Sequence, residues 1–303
     1  MTIGHFKKCV IIYMEATMKA ITIKEPYASL ISNGVKKIET RSWKTNYRGY
    51  LYIHAGKTTQ KVSDDVLSLL KGSKTNNGKI LCRCKLKDCV YLTEEFIANL
   101  KNANPIEYKC GKYEVGRYAW ILDDIEPVNM IDVKGNLNLW DFYDENEIMN
   151  LMENIEYGWL DIYENRHLKL DPSIKKDCYL QSPKELIKSK LGLCIDQVEL
   201  QRYYFKYPTK SYIIVYKDND YERMHTFLTF KKNDKFYWFE HAWTDLKGIY
   251  EYNSLDELFE DVKDKYEEFE LKFKCKRDKL NIYEYSKPKY NLSPTEFRKH
   301  CNI

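Results

Sequence analysis

Residues 21–57 read ITIKEPYASLISNGVKKIETRSWKTNYRGYLYIHAGK, and the order of features in this stretch decides the fold of the first half. Lys19–Lys24 alternates and predicts a short strand. Glu25–Asn33 then predicts a helix, with Pro26 in its first turn and Gly34 as its stop. Arg48–His54 alternates again and predicts another strand. Between helix and strand, Lys36, Lys37, Arg41, Lys44 and Arg48 are interleaved with Trp43, Tyr47 and Tyr50, with Tyr27 just before them. Cations meet phosphates and flat rings stack on bases, so the passage has the composition of a nucleic-acid or nucleotide site.

Further along, Ser63–Leu70 predicts a helix capped by Ser63, Lys79–Leu92 a long strand, Thr93–Leu100 a capped helix, and Tyr118–Val128 a strand. Short strands with a few small helices predict a mixed-sheet barrel. Gly34, Lys36, Glu39 and Arg41 form a spaced pattern. It is followed by Gly49, His54-Ala55-Gly56-Lys57, Gly116-Arg117-Tyr118-Ala119-Trp120, and Gly135 with Leu139-Trp140. Over residues 18–143 this series resembles the ASCH family (activating-signal-cointegrator homology). The resemblance implies a small PUA-like barrel whose partner is RNA or a nucleotide-like ligand, met by Lys36, Glu39, Arg41, Trp43 and Arg48. Lys36 and Arg41 suit phosphate or base contacts, and Glu39 can orient them or accept from an exocyclic amine. The alternative is a surface salt-bridge cluster of little energetic weight. Some small ASCH-like proteins are amidohydrolases of N-acylated cytidine thought to use a Lys, a Thr and a Glu. Lys36 matches that Lys, but Glu39 stands where the Thr would be, so nucleoside hydrolysis is the secondary expectation.

The formal charge of +4 conceals an asymmetry: residues 18–143 carry 20 Lys/Arg against 14 Asp/Glu, and residues 144–303 carry 27 against 30. A basic first half and a mildly acidic second half point to different partners, and the excess is too small for tight nonspecific DNA binding. Nine cysteines without framework spacing or a secretory signal predict reduced thiols and a cytoplasmic location. CVIIYM near the start is too short for a signal or a membrane span, and no membrane partner is expected. Residues 1–17 read as an extension ahead of Met18. Cys82 and Cys84 lie one residue apart on one strand and share a face with Leu86. Zinc knuckles use a wider turn and a second pair, so these thiols read as core, with no metal and no cofactor expected.

Residues 144–175, acidic and then polar, read as a linker ending at Asp171-Pro172, with Ile148–Tyr157 open to a helix. Residues 176–303 form a second domain. Its predicted elements are helices at Ser182–Lys190 and Cys194–Phe205, a hairpin of Met224–Phe230 and Phe236–Trp243, a long helix Ser254–Lys274, and a capped helix from Ser293. Cys194 follows Gly192 at a helix start, where unpaired amides and the helix dipole favour a thiolate. With a four-residue loop at 231–234, His225 faces Glu240, which can accept from the imidazole; a one-residue change would bring His241 or Ala242 opposite. Asp245 is a rival acid, and Trp238 and Trp243 read as core and cleft wall.

The order helix-Cys, strand-His, next-strand acid resembles the transglutaminase-like (papain-related) superfamily. The resemblance implies a thiol hydrolase or acyltransferase of α+β fold, with Cys194 as nucleophile, His225 as base and Glu240 as orienter. Its substrate would be an amide or related acyl bond in a protein or small molecule. The acid of that superfamily is usually Asp, from which Glu240 departs. The expectation for the whole chain is α+β, a PUA-like mixed barrel followed by the thiol domain. The competing expectation is a noncatalytic RNA-binding protein with a degenerate partner-binding second domain.

Overall fold

The computed structural model describes residues 18–218, 221–269 and 275–303. The expected extension at 1–17 and the end of the long helix at 270–274 lie outside the described residues.

The first half contains β1 (Lys19–Glu25), α1 (Tyr27–Ser32), β2 (Ile38–Arg41), β3 (Gly49–Thr59), α2 (Asp64–Ser68), β4 (Lys79–Tyr91), α3 (Glu94–Ala103), α4 (Pro105–Lys109), β5 (Tyr118–Asp132) and β6 (Leu139–Asp141). Its strands form one mixed sheet in the order β2-β5-β4-β3-β1-β6, with only β1 and β3 parallel. The expected barrel is not closed among the described strands: β2 and β6, at four and three residues, are short outer strands with no pairing to each other. Helix α1 starts two residues later than predicted because Glu25 belongs to the strand. The Glu25 carboxylate is fully buried and accepts from the Ser29 amide (3.0 Å), the Ser29 hydroxyl (2.7 Å) and the Asn76 amide (2.9 Å). Cys82 and Cys84 are fully buried in this sheet, and burial pushes the Cys82 thiol up to about 12.

The passage expected as a linker is built into the fold. It holds α5 (Glu145–Met152), β7 (Glu156–Tyr157), β8 (Trp159–Leu160), β9 (Arg166–His167) and α6 (Ile174–Asp177). Asp144 caps α5, accepting from the Glu147 amide while Glu147 accepts from its own, and Ile148, Met152 and Trp159 go into the core.

The second half continues with α7 (Pro183–Ser189), β10 (Leu191–Gly192), α8 (Cys194–Tyr204), β11 (Thr209–Asp218), β12 (Tyr221–Lys232), β13 (Lys235–Glu240), β14 (Gly248–Tyr252), α9 (Leu255–Phe269), β15 (Leu280–Tyr285) and α10 (Pro294–His300). Five strands form an antiparallel sheet ordered β14-β13-β12-β11-β15, where only the β12–β13 hairpin had been expected. Strand β11, between β12 and β15, carries six consecutive buried residues, Ser211–Tyr216, so it lacks the one-sided alternation that marks a half-exposed strand. Ile213 and Val215 face α8 through Val198 and Leu200, while Tyr212, Ile214 and Tyr216 face α9 through Leu258, Val262 and Tyr266. The sheet is therefore covered by a helix on each face, an α+β arrangement. No helix among the described residues is long and apolar enough to cross a membrane.

One apolar cluster runs from Tyr52, Trp140 and Phe142 of the first half through Ile148 and Met152 of α5 to Leu200, Leu228 and Phe239 of the second. A buried polar knot joins the same parts: Glu145 takes the Lys232 ammonium at 2.5 Å and the Tyr207 hydroxyl at 3.0 Å. Removing one member of a buried ion pair strands the other. Glu145→Ala is therefore expected to lower unfolding stability by about 3 kcal/mol in urea titration. An unchanged midpoint would show that the knot does not hold the halves.

Candidate active site

Lys190 takes a left-handed conformation (φ 54) at the end of α7, and β10 then runs parallel to β7, pairing Leu191 with Glu156 and Gly192 with Tyr157. A Cβ on Gly192 would stand 2.6 Å from Leu186 Cδ1 and 3.0 Å from Asp196 Cβ, so the close approach of α7 to α8 requires glycine. Cys194 is the first residue of α8. Two residues on, the Asp196 carboxylate accepts from the Leu193 and Gln181 amides, each at 2.8 Å, which anchors the helix start. Burial pushes the Asp196 carboxyl up to about 7 against those two donors.

His225 lies on β12 and Glu240 ends β13. The hairpin turns through two residues, Asn233 and Asp234, both left-handed (φ 51 and 60), instead of the expected four. The ladder, Leu228 with Phe239 to Lys232 with Lys235, is displaced by two residues from the expected one. A two-residue shift preserves the face of each side chain. Glu240 thus remains on the face of His225, as a diagonal neighbour instead of a directly opposed one. His225 Nε2 donates to Glu240 Oε2 at 2.8 Å, and Glu240 Oε1 accepts the Trp243 amide at 2.9 Å. The Trp243 indole lies flat on the imidazole, with centroids 4.1 Å apart and planes 6° from parallel.

With Nε2 committed to Glu240, Nδ1 is the nitrogen left for the Cys194 thiol, which His225 influences as hydrogen-bond partner and as charge. Burial pulls the imidazole down, but the Glu240 charge and the bonds to Cys194 and Glu240 outweigh it and push His225 up to about 10. For Cys194, burial raises the thiol, and the His225 bond and charge outweigh it, so the thiol falls below its usual range. Both directions favour the thiolate–imidazolium form of the pair over the neutral one. A cleft of about 940 Å³ lies over the pair, with Tyr157, Leu193, Trp243 and Phe269 among its walls.

Of the two rival groups, His241 is bonded away from the pair and Asp245 stands on the wall of the same cleft. His241 Nδ1 bonds Gln197 Oε1 at 2.6 Å, and Gln197 Nε2 donates to the Gly192 carbonyl at 3.0 Å, tying α8 to the end of β13. Burial lowers His241 to about 4, so it is neutral near pH 7. Asp245 is exposed on the cleft wall.

In the first half, Lys36 is not a surface cation: it is 1% exposed. Its ammonium bonds the Ile38 carbonyl, lies 3.7 Å from Glu107 and 3.9 Å from Glu39, and sits over the Tyr27 and Tyr113 rings. Glu107 accepts from the Lys37 amide (2.6 Å), the Ile38 amide (3.3 Å) and the Tyr113 hydroxyl (2.7 Å). Burial and the Glu107 charge hold that hydroxyl well above the usual phenol range. Arg41 pairs with Glu39 at 3.2 Å and donates to the Thr22 carbonyl at 2.8 Å. Trp43 packs edge-on against Trp120, the β5 partner of Glu39. Arg48 is tied separately to Asp88 at 2.8 Å and to the Thr45 and Tyr47 carbonyls. The structure thus groups Lys36, Glu39, Arg41 and Trp43, while Arg48 is committed elsewhere. Sequence reasoning missed Glu107; its only local signal is the Asn104-Pro105 helix start, where Asn104 Oδ1 accepts the Glu107 amide at 3.0 Å.

Comparison with known proteins reaches part of this chain. A crystal structure of the ZmASCH Y47F mutant protein from Zymomonas mobilis aligns at 15% identity and a TM-score of 0.30, covering 46% of this chain and 98% of that one. No curated protein matches. The transglutaminase-like resemblance of the second half gains no support from these comparisons. The family model for the ASCH domain matches residues 21–135.

Proposed function

We propose that this protein is a thiol-dependent hydrolase or acyltransferase whose nucleophile is Cys194, with His225 as base and acid and Glu240 as orienting group. The reading is carried by one observation: a thiol at a helix start is paired with a buried imidazole that a buried carboxylate holds from the other side, at a cleft. The thiolate attacks an amide or related acyl carbon, His225 protonates the leaving group, and water or an amine resolves the thioester. Trp243 covers one face of the imidazole and keeps water from the His225–Glu240 bond.

We infer for the ASCH domain a recognition role toward RNA or a nucleotide-like ligand. Arg41 and Trp43, each half-buried, carry this reading better than Lys36, which is buried between two carboxylates and organises the passage from α1 to β2. Nucleoside hydrolysis by this domain would need Lys36 and Glu107 to meet a substrate. Their burial and mutual pairing favour recognition instead.

Two measurements test these readings. With iodoacetamide, Cys194 should alkylate at mildly acidic pH, and Cys194→Ala should remove that fast phase. In His225→Gln, burial acts on the thiol without a compensating cation, so the alkylation midpoint should rise above the usual thiol value of about 8.5. A midpoint that does not move rejects the thiolate–imidazolium pair. For the ASCH domain, Trp43→Ala should weaken binding of a mixed-sequence single-stranded RNA by about tenfold, the loss expected for one stacked base. Equal binding by variant and wild type rejects Trp43 as a platform.

A further inference from the structure

We propose that Tyr157 is a catalytic residue of the thiol site, its hydroxyl donating to the substrate oxygen that becomes negative when Cys194 attacks; the inference rests on the thiol-enzyme reading above. Tyr157 comes from β7, outside both the helix and the hairpin that supply Cys194, His225 and Glu240. The parallel pairing of β7 with β10 sets it opposite Gly192, two residues before the nucleophile. It lines the same cleft as Cys194 and His225. The residue is 37% exposed on the cleft side and lies within the field of the Cys194 sulfur. Burial first, and then the Cys194 charge, hold the hydroxyl well above the usual phenol range. It therefore stays protonated, a hydrogen-bond donor, wherever the thiolate is present.

Attack on a carbonyl needs such a donor. As the C–S bond forms, the carbonyl π pair moves onto oxygen. Collapse returns that pair, breaks the bond to the leaving amine or alkoxide, and sends the His225 proton to the leaving atom. Water or an amine then adds to the thioester, gives its proton to His225, and releases the thiolate. In both steps the oxyanion requires donors fixed in advance, and each is worth about 10² in rate. The start of α8 offers backbone amides that have no partner within the helix. Tyr157 supplies a side-chain donor beside the same thiol.

The test uses the full chain and two reagents. p-Nitrophenyl acetate acylates the thiol through an oxyanion, whereas iodoacetamide alkylates it by displacement at a saturated carbon with no oxyanion. Tyr157→Phe, which keeps the ring and its packing, should slow acylation about 10²-fold and leave the alkylation rate and its pH midpoint within about twofold. Unchanged acylation overturns the assignment. So does an equal loss in both reactions, which would mean that Tyr157 supports the thiolate or the fold. Failure of the underlying reading looks different: Cys194→Ser would be acylated as fast as wild type, or wild-type Cys194 would not alkylate at mildly acidic pH, and either result removes this inference with it.

Discussion

The arrangement of the second half depends on burying an imidazole against a carboxylate. His225 and Glu240 are 4% and 1% exposed. Taking either charge out of water alone costs several kcal/mol, and the pair is tolerable only when the remaining donors and acceptors are also met. Each is met by a particular element. The second Glu240 oxygen takes the Trp243 amide, the chain's first turn after β13, while the indole of the same residue covers the imidazole. The free ring nitrogen is left to the thiol at the start of α8. Satisfying one buried pair therefore fixes the end of a strand, the turn that follows and the docking of a helix.

Much of this was legible from residue types, and the parts that failed did so for physical reasons. Cys194 after Gly192 could be read as a helix start, although Gly192 itself belongs to β10 and the left-handed turn is made by Lys190. Glu240 could be paired with His225 although the loop length was wrong: Asn233 and Asp234 both tolerate the left-handed region, so the hairpin closes in two residues, and an even error leaves every side chain on its face. Strands β11, β14 and β15 escaped notice for different reasons. β11 is buried on both sides and shows no alternation, while β14 and β15 are short strands at the two edges of the sheet.

The ASCH domain shows the limit more sharply. The run from Lys36 to Arg41 announces a cationic cluster, but whether a lysine reaches solvent depends on what folds over it. Here the answer is Glu107, seventy positions beyond Lys37 and joined to its amide at 2.6 Å. Nothing local in the first segment encodes that partner. Gly111 contributes to the same enclosure, since a Cβ there would lie 2.7 Å from the Tyr113 ring and 3.2 Å from the Lys36 ammonium. A composition suited to phosphate binding thus became, at Lys36, an internal ion pair that sets the loop, leaving Arg41 and Trp43 nearer the surface.

The passage between the halves carries a consequence for both. It contributes Ile148 and Met152 to the shared apolar cluster, Glu145 to the knot with Lys232 and Tyr207, and Tyr157 to the cleft wall. Lys232 sits at the turn end of β12, the strand that carries His225 seven residues earlier. A displacement of α5 would therefore act on the thiol cleft along two routes, through β12 and through β7. A tether that only spaced two independent domains would need neither the buried ion pair nor the parallel pairing of Gly192 with Tyr157. Their presence means that the thiol site is assembled from the bridging segment as well as from the sheet it stands on.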